Sequence, residues 1–229
     1  MQRAENFRDQ ALIAHMASER VQLEQLKQDV FAALEYEKDL FEGFEPRFFE
    51  LRFGGSTGIP VKYAGVNFVG SIDRIDVDEA GYALIIDYKL KSHLFSEYKL
   101  AERGKQVDLH VLPRHVQSLI YAQVVRKYLE QQNLVAAGAV YFGIRRECEL
   151  SGAVPASMCD RVWGAHTLRT PGAVTAGKTI EDFYAYLDTC EQLIAERIEA
   201  LKAGDIHTHA SGDTSCAFCE SLACGERRA

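Results

Sequence analysis

Two hydrophobic segments, residues 66–77 and 82–90, are rich in Val, Ile and Phe and are separated by the turn-forming residues 78–81. β-Branched and aromatic residues favour strands, and a short cluster of Asp and Gly favours a turn. The pattern therefore predicts two antiparallel strands joined as a hairpin. A three-residue loop ending at Gly81 suits such a hairpin, because glycine readily adopts the left-handed conformation that the loop requires.

This predicted register gathers charged side chains on one face of the hairpin. Asp73 lies opposite Asp87, and Lys89 follows two residues later on the same face. Like charges placed opposite each other destabilise a sheet, and a divalent cation between them would offset the repulsion. A two-residue loop would bring Asp73 opposite Tyr88 instead and separate the groups. Asp76 has the other parity, which predicts a structural role on the opposite face.

Further helix and strand patterns flank the hairpin. Residues 3–40 are rich in Ala, Leu, Glu, Gln and Lys and predict one or two long helices. Residues 47–53 alternate as a strand would, with Phe49, Leu51 and Phe53 on one face and Glu50 on the other, where it could supply a third carboxylate. The remaining predictions are a loop with a short helix over 91–113, a helix over 114–132, a buried strand over 138–144, an irregular excursion over 146–178, and a helix over 180–203 capped by Thr179 and ended by Gly204.

This order of elements predicts an α/β fold in which helices flank a mixed central sheet. We divide the chain into an N-terminal helical segment over residues 1–44, a core over 45–205 and a Cys-rich C-terminal segment over 206–229. No secretory signal pattern begins the sequence, and the longest nearly apolar run, residues 135–144, is too short to cross a membrane. We therefore expect a cytoplasmic protein with no membrane partner.

Charge argues against a general coating of basic residues for nucleic acid. The 229-residue chain has a net charge of −7, whereas phosphate binding draws on Lys and Arg. The balance is reversed locally, because residues 89–114 contain six Lys or Arg against three Asp or Glu. A basic path beside the hairpin is therefore compatible with the acidic total.

Four segments in this order resemble the RecB-like branch of the PD-(D/E)xK nuclease superfamily, especially AddB and RecB nuclease domains. They are residues 50–54, residues 70–76, residues 85–89 and residues 117–121. The resemblance implies a restriction-endonuclease-like fold and a metal-dependent DNA exonuclease that hydrolyses phosphodiester bonds. It also implies DNA and a helicase motor domain or subunit as partners, in recombinational DNA repair.

The resemblance assigns roles to individual residues. Asp73 and Asp87 would bind Mg²⁺, for which Mn²⁺ can substitute, the backbone carbonyl of Tyr88 would be a further ligand, and Lys89 would orient or activate the attacking water. Octahedral Mg²⁺ suits a few carboxylates completed by water. Supporting residues that the resemblance places beside the site are Gln117 and Tyr121, which would help to hold DNA, and Glu50.

Two features depart from the pattern of this branch. Its members usually carry an upstream Gly-x-x-x-His motif, and His15, the only histidine before the hairpin, has no glycine four residues earlier. Three cysteines near the C-terminus, Cys216, Cys219 and Cys224, resemble those that hold a 4Fe–4S cluster in AddB-type enzymes, but no cysteine precedes Cys148 to supply the fourth ligand. We therefore expect this chain to be the C-terminal part of a longer helicase-nuclease subunit.

Alternatives to these interpretations stay open. The fold could serve as a catalytically incomplete module that binds or scaffolds DNA ends, or the C-terminal cysteines could form the centre of a structural metal-binding module. For zinc, four ligands are also the rule. The candidates for the fourth are Cys148, Cys159, Cys190, His207 and His209.

Overall fold

The computed structural model describes residues 17–206, except residues 57, 92, 103–104, 130–132, 146, 167 and 169. No helix in this range is long and apolar enough to cross a membrane. The helices are α1 (Ala17–Glu37), α2 (Leu94–Tyr98), α3 (Gln117–Tyr128), α4 (Ala156–Trp163), a 3₁₀ turn (Pro171–Ala173) and α5 (Ile180–Lys202). The strands are β1 (Glu45–Phe53), β2 (Val61–Tyr63), β3 (Val66–Phe68), β4 (Gly70–Val77), β5 (Tyr82–Lys89), β6 (Val135–Gly143) and β7 (Glu149–Ala153).

Five of the described strands form the central sheet in the order β1-β4-β5-β6-β7. β5 and β6 run parallel, and the other neighbours run antiparallel. Helices cover both faces, and the arrangement is consistent with a restriction-endonuclease-like fold. The predicted α/β fold with a mixed, helix-flanked sheet is therefore confirmed, while the three C-terminal cysteines lie outside the described residues.

Among the described residues, two large hydrophobic cores hold α1, α3, α4 and α5 to the sheet, and a small cluster of Leu94, Tyr98 and Tyr141 holds α2. One lies between the sheet and helices α3 and α5 and includes Ile75, Ile85, Leu119 and Phe183. The other lies on the opposite face, against α1 and α4, and includes Ile86, Val140, Val162 and Ala33. Consecutive residues of β5, such as Ile85 and Ile86, point into different cores, as the period of a strand requires.

The hairpin register follows the sequence prediction. Ile75 pairs with Ile85 and Val77 pairs with Ala83. Gly81 adopts a left-handed φ of 87°, and the Asp78 side chain accepts the backbone N–H groups of residues 80 and 82. The three-residue loop is therefore confirmed, and with it the register of residues 74–77 against residues 83–86.

The predicted alternation of β1 is wrong. Phe49 is 65% exposed, whereas Phe48 and Leu51 pack against the core below α3 and Phe53 belongs to it. Phe48 and Leu51 are three residues apart, yet they pack against the same core. Glu50, which lies between them, has a left-handed φ of 49°. That conformation rotates the chain between Phe49 and Leu51 and so shifts the parity of the strand.

Several element boundaries also differ from the predictions. The segment 66–77 is divided at Val69, since β3 pairs with β2 in a separate two-stranded sheet. The excursion over 146–178 contains β7 and α4, which the sequence analysis did not predict. Both are short, so tertiary packing decides them more than local pattern does. The helix over 114–132 is shorter, spanning Gln117–Tyr128, and the strand over 138–144 begins earlier, at Val135.

Helix α5 confirms its predicted ends. The Thr179 hydroxyl accepts the backbone N–H of Asp182, whose carboxylate in turn accepts the backbone N–H of Thr179. Gly204, just beyond the helix, has a left-handed φ of 92°. Both ends thus satisfy backbone groups that the helix itself leaves unpaired.

A buried ion-pair network lies on the α1 face of the hairpin. Arg74 donates to both carboxylate oxygens of Asp76, at 2.5 and 2.6 Å, and to the Tyr88 hydroxyl at 2.8 Å. It also forms an ion pair of 2.6 Å with Glu37 at the end of α1. Asp76 is 0% exposed, and this burial raises the pKa of its carboxyl group while Arg74 opposes the rise. The position of Asp76 beside Arg74, away from Asp73, matches the predicted parity.

We expect Asp76→Asn to lower the free energy of unfolding by about 3 kcal/mol, because Arg74 would keep its buried charge with one carboxylate partner fewer. Urea unfolding followed by circular dichroism measures the change. Asp160→Asn, on the exposed surface of α4, is the matched control and should change the free energy by less than about 0.5 kcal/mol. Equal effects of the two substitutions would contradict a structural role for Asp76.

Candidate active site

Asp73 lies where the pairing of β4 with β5 ends. The last paired residues on this side are Arg74 and Ile86. One residue further on, the Asp73 carboxylate accepts the backbone N–H of Tyr88 at 2.9 Å. The backbone N–H of Tyr88 on β5 is thus bonded to a side chain instead of to the backbone of β4. This hydrogen bond fixes Asp73 against β5.

Asp87 is a buried carboxylate on the face that β5 turns toward α3. It is 1% exposed, and burial raises the pKa of its carboxyl group. The hydrogen bond and charge of Lys89 oppose that rise, while the negative charge of Asp73 adds to it. The charge of Asp73 thus acts on Asp87, as expected for two carboxylates close together on the hairpin.

Lys89 joins the aspartates to helix α3. Its ammonium forms an ion pair with Asp87 and donates a hydrogen bond of 2.9 Å to Oε1 of Gln117. The same ammonium lies 5.5 Å from the ring centre of Tyr141. Lys89 is thus held by a charged acceptor, a neutral acceptor and an aromatic face, all on the side of the predicted site.

Gln117 and Tyr121 are linked on the edge of α3. Nε2 of Gln117 donates to the Tyr121 hydroxyl at 2.9 Å, over the four-residue spacing that makes helical side chains neighbours. Tyr121 is 7% exposed, and its ring lies edge-on to Phe53 with 5.9 Å between ring centres. Burial raises the pKa of Tyr121 and the hydrogen bond from Gln117 lowers it in part, so the phenol is neutral near pH 7.

Glu50 is near the site in register but is not gathered with the aspartates. The pairs on either side of it, Phe49 with Arg74 and Leu51 with Ile72, place it across from Asp73. Its carboxylate accepts a hydrogen bond of 3.2 Å from the Ser71 hydroxyl. Among the described side chains, no three of the His, Cys, Asp and Glu type converge as a metal-binding group. A ligand role for Glu50 stays a prediction.

The donor set suits a hard divalent cation. Oδ2 of Asp87 is buried and forms an ion pair with Lys89. Two mutually repelling carboxylates and a backbone carbonyl are the oxygen ligands that Mg²⁺ accepts alongside water. That Asp73, Asp87 and the Tyr88 carbonyl would hold such an ion stays a prediction from the resemblance.

The structure adds supporting residues that sequence reasoning did not assign. The Tyr141 hydroxyl accepts the backbone N–H of Ser118 at 3.0 Å, which ties β6 to the first turn of α3. The Tyr88 ring lies on the opposite face, where its hydroxyl accepts from Arg74. Strand alternation places Tyr88 and Arg74 on the same face of the hairpin, so the sequence contained a signal for their contact. No local pattern indicates the hydrogen bond between Ser118 and Tyr141.

Basic side chains border the site on the side of α2. Lys91 pairs with Glu97 at 2.8 Å, and His115 stacks on Tyr98 with ring centres 4.1 Å apart. Burial lowers the pKa of His115, and the negative charge of Glu97 opposes the fall. Arg114 is exposed next to His115. This border contains part of the locally basic segment noted in the sequence.

The predicted cysteine site cannot be located in the fold. Cys216, Cys219, Cys224, His207, His209 and His15 all lie outside the described residues. Of the described cysteines, Cys190 is buried in the core below α5, as its helical position suggests, and burial raises the pKa of its thiol to about 11. Burial also raises the pKa values of the Cys148 and Cys159 thiols. Cys148 is half-buried, whereas Cys159 and Cys190 are buried.

Comparison with known proteins agrees with this geometry. Residues 2–224 match the PD-(D/E)XK nuclease superfamily, a range that contains the hairpin, α3 and the described core. No curated protein matches the chain. Because the match covers nearly the whole sequence, the chain belongs to the PD-(D/E)XK nuclease superfamily.

Proposed function

We propose that this protein is a Mg²⁺-dependent deoxyribonuclease whose site consists of Asp73, Asp87 and Lys89. The observation that carries the proposal is their convergence at the point where the pairing of β4 and β5 ends. An ordinary exposed hairpin has no need for a buried carboxylate beside a second one. Membership of a nuclease superfamily supports phosphodiester hydrolysis as the reaction of this site.

Each residue has a distinct task in the proposed hydrolysis. Asp73 and Asp87, with the Tyr88 carbonyl, would hold Mg²⁺, which polarises a phosphodiester and supports formation of the attacking hydroxide. Lys89 forms an ion pair with Asp87 and offers N–H donors to the attacking water or to the phosphate. Gln117 holds that ammonium from the α3 side.

The finer assignment is an exonuclease of the RecB or AddB type that works beside a helicase motor in recombinational repair. It is supported by four ordered sequence segments, residues 50–54, 70–76, 85–89 and 117–121. The local excess of Lys and Arg over residues 89–114 supports DNA as the substrate. Association with a helicase belongs to this proposal.

A second candidate is a catalytically incomplete fold that binds or scaffolds DNA ends. It is favoured by one observation, that no three metal-ligating side chains converge among the described residues. Tight DNA binding without cleavage at saturating Mg²⁺ or Mn²⁺ would select this candidate over the nuclease.

We expect Asp87→Ala and Lys89→Ala each to slow degradation of linear DNA at least about a hundredfold, since one removes a metal ligand and the other the positioned ammonium. Single-turnover assays on end-labelled DNA with Mg²⁺ measure the rates. Matched controls are Asp160→Ala and Lys202→Ala, both exposed on helices away from the hairpin. Cleavage that survives both site substitutions would refute the assignment of the site.

We expect the stabilisation of the protein by Mg²⁺ to decline as the pH falls, beginning above the usual Asp range near pH 4. The reason is that burial raises the pKa of Asp87, so its carboxyl group becomes protonated, and unable to bind metal, at a higher pH than an exposed one. Thermal unfolding with and without Mg²⁺ across pH tests this. Asp87→Asn should remove the Mg²⁺ effect at every pH, and an unchanged Mg²⁺ effect in that variant would count against Asp87 as a ligand.

The C-terminal cysteines give a separate prediction. If Cys216, Cys219 and Cys224 hold a 4Fe–4S cluster, anaerobically purified protein should contain iron and absorb visible light. Zinc without visible absorbance would indicate the zinc alternative, and absence of both metals would contradict a metal site in this chain. Cys190→Ser, in the core of α5, controls for general loss of folding.

A further inference from the structure

We propose that Tyr121 is a positioning residue that acts on Lys89 through Gln117, rather than a direct contact to DNA. This inference rests on the proposed nuclease function. It is carried by a chain of contacts from the core to the site: Phe53 against the Tyr121 ring, the Tyr121 hydroxyl to Gln117 Nε2, and Gln117 Oε1 to Lys89 Nζ.

The two ends of the Gln117 amide are chemically different, and the structure uses each for a different partner. Lys89 has donors and no acceptor, so only Oε1 of the amide can bond to it. The other end, Nε2, is a donor and needs an acceptor, which the Tyr121 hydroxyl supplies at 2.9 Å. Both ends are satisfied at once, so the amide has a defined orientation.

Burial decides which residue fixes which. Gln117 is exposed at the first position of α3, where a long side chain would otherwise sample several rotamers. Tyr121 is buried one turn later and has the Phe53 ring against its edge. The rigid member of the pair is therefore Tyr121, and it restrains the mobile member that touches Lys89.

Lys89 has a reason to need this neutral partner. Its other acceptor is Asp87, which is also a proposed Mg²⁺ ligand, so the carboxylate would be shared when the metal binds. The Gln117 oxygen holds the ammonium in place without adding negative charge next to a phosphate. An acidic residue at this position would hold Lys89 more strongly but would repel the substrate.

The test is a double-mutant cycle in the full chain with Gln117→Ala, Tyr121→Phe and the two combined. Single-turnover cleavage of linear DNA with Mg²⁺ gives the rates, and DNA affinity is measured with Ca²⁺ in place of Mg²⁺. Tyr121→Phe should slow cleavage about three- to tenfold, as expected for loss of one neutral hydrogen bond, and leave DNA affinity unchanged. In the Gln117→Ala background the same change should alter the rate less than about twofold, because the amide that the Tyr121 hydroxyl binds is absent.

The proposal would be overturned, in favour of direct DNA contact, if the rate losses of the two single variants multiplied in the double variant. A loss of DNA affinity in Tyr121→Phe alone would overturn it as well. Tyr128→Phe is the matched control on the same helix. Its hydroxyl donates to the Lys62 carbonyl at 2.6 Å and accepts the Lys62 N–H at 2.7 Å, remote from Lys89. That variant should lose stability and keep the unmodified cleavage rate.

A readout without turnover separates this proposal from the proposed function. The side-chain amide signal of Gln117 in a ¹⁵N–¹H spectrum is identified by its absence in Gln117→Ala. It should differ from that of a free glutamine and move toward the free position in Tyr121→Phe. A signal that stays in place would overturn the positioning role. If the unmodified chain does not cleave DNA while the Gln117 amide signal moves as expected, the proposed nuclease function is refuted. The orientation of Gln117 by Tyr121 is then still supported.

Discussion

The geometry of the candidate site depends on one hydrogen bond, from the backbone N–H of Tyr88 to the Asp73 carboxylate. It occurs one residue beyond the last paired residues of β4 and β5, so a side chain satisfies a strand donor where the paired ladder has ended. A carboxylate that accepts a backbone N–H is held in position more firmly than one on a free surface. The hydrogen bond therefore keeps the Asp73 carboxylate close to that of Asp87, and the proposed metal binding needs both carboxylates together.

The opposite face of the hairpin supports the same residues from behind. Tyr88 provides the N–H for Asp73, while its hydroxyl accepts from Arg74 in the buried network with Asp76 and Glu37. Strand alternation makes this possible, because neighbouring residues serve different faces. The ion pairs that hold α1 against the sheet therefore also fix the residue whose backbone meets Asp73. Stability and site geometry share one set of contacts.

Sequence reasoning succeeded where spacing alone determines the outcome and failed where the backbone leaves its usual conformation. The hairpin follows from a three-residue loop ending in Gly81, so the pairing of residues 74–77 with residues 83–86 was predictable. The parity of β1 was not, because Glu50 is a non-glycine residue with a left-handed φ of 49°, for which no sequence signal exists. The link from Lys89 to α3 needed the tertiary packing of that helix, which the resemblance implied and spacing could not derive.

The charges of the site explain why a cation would be needed to bind the substrate as well as to cleave it. Asp73 and Asp87 carry two negative charges when ionised, and Lys89 supplies one positive charge against them. A phosphodiester brings another negative charge, so the protein groups alone would repel it. A divalent ion would reverse that sign locally, so an acidic chain with a net charge of −7 is compatible with a DNA substrate. The acidic total thus counts against a general DNA-binding surface and not against a metal-dependent nuclease site.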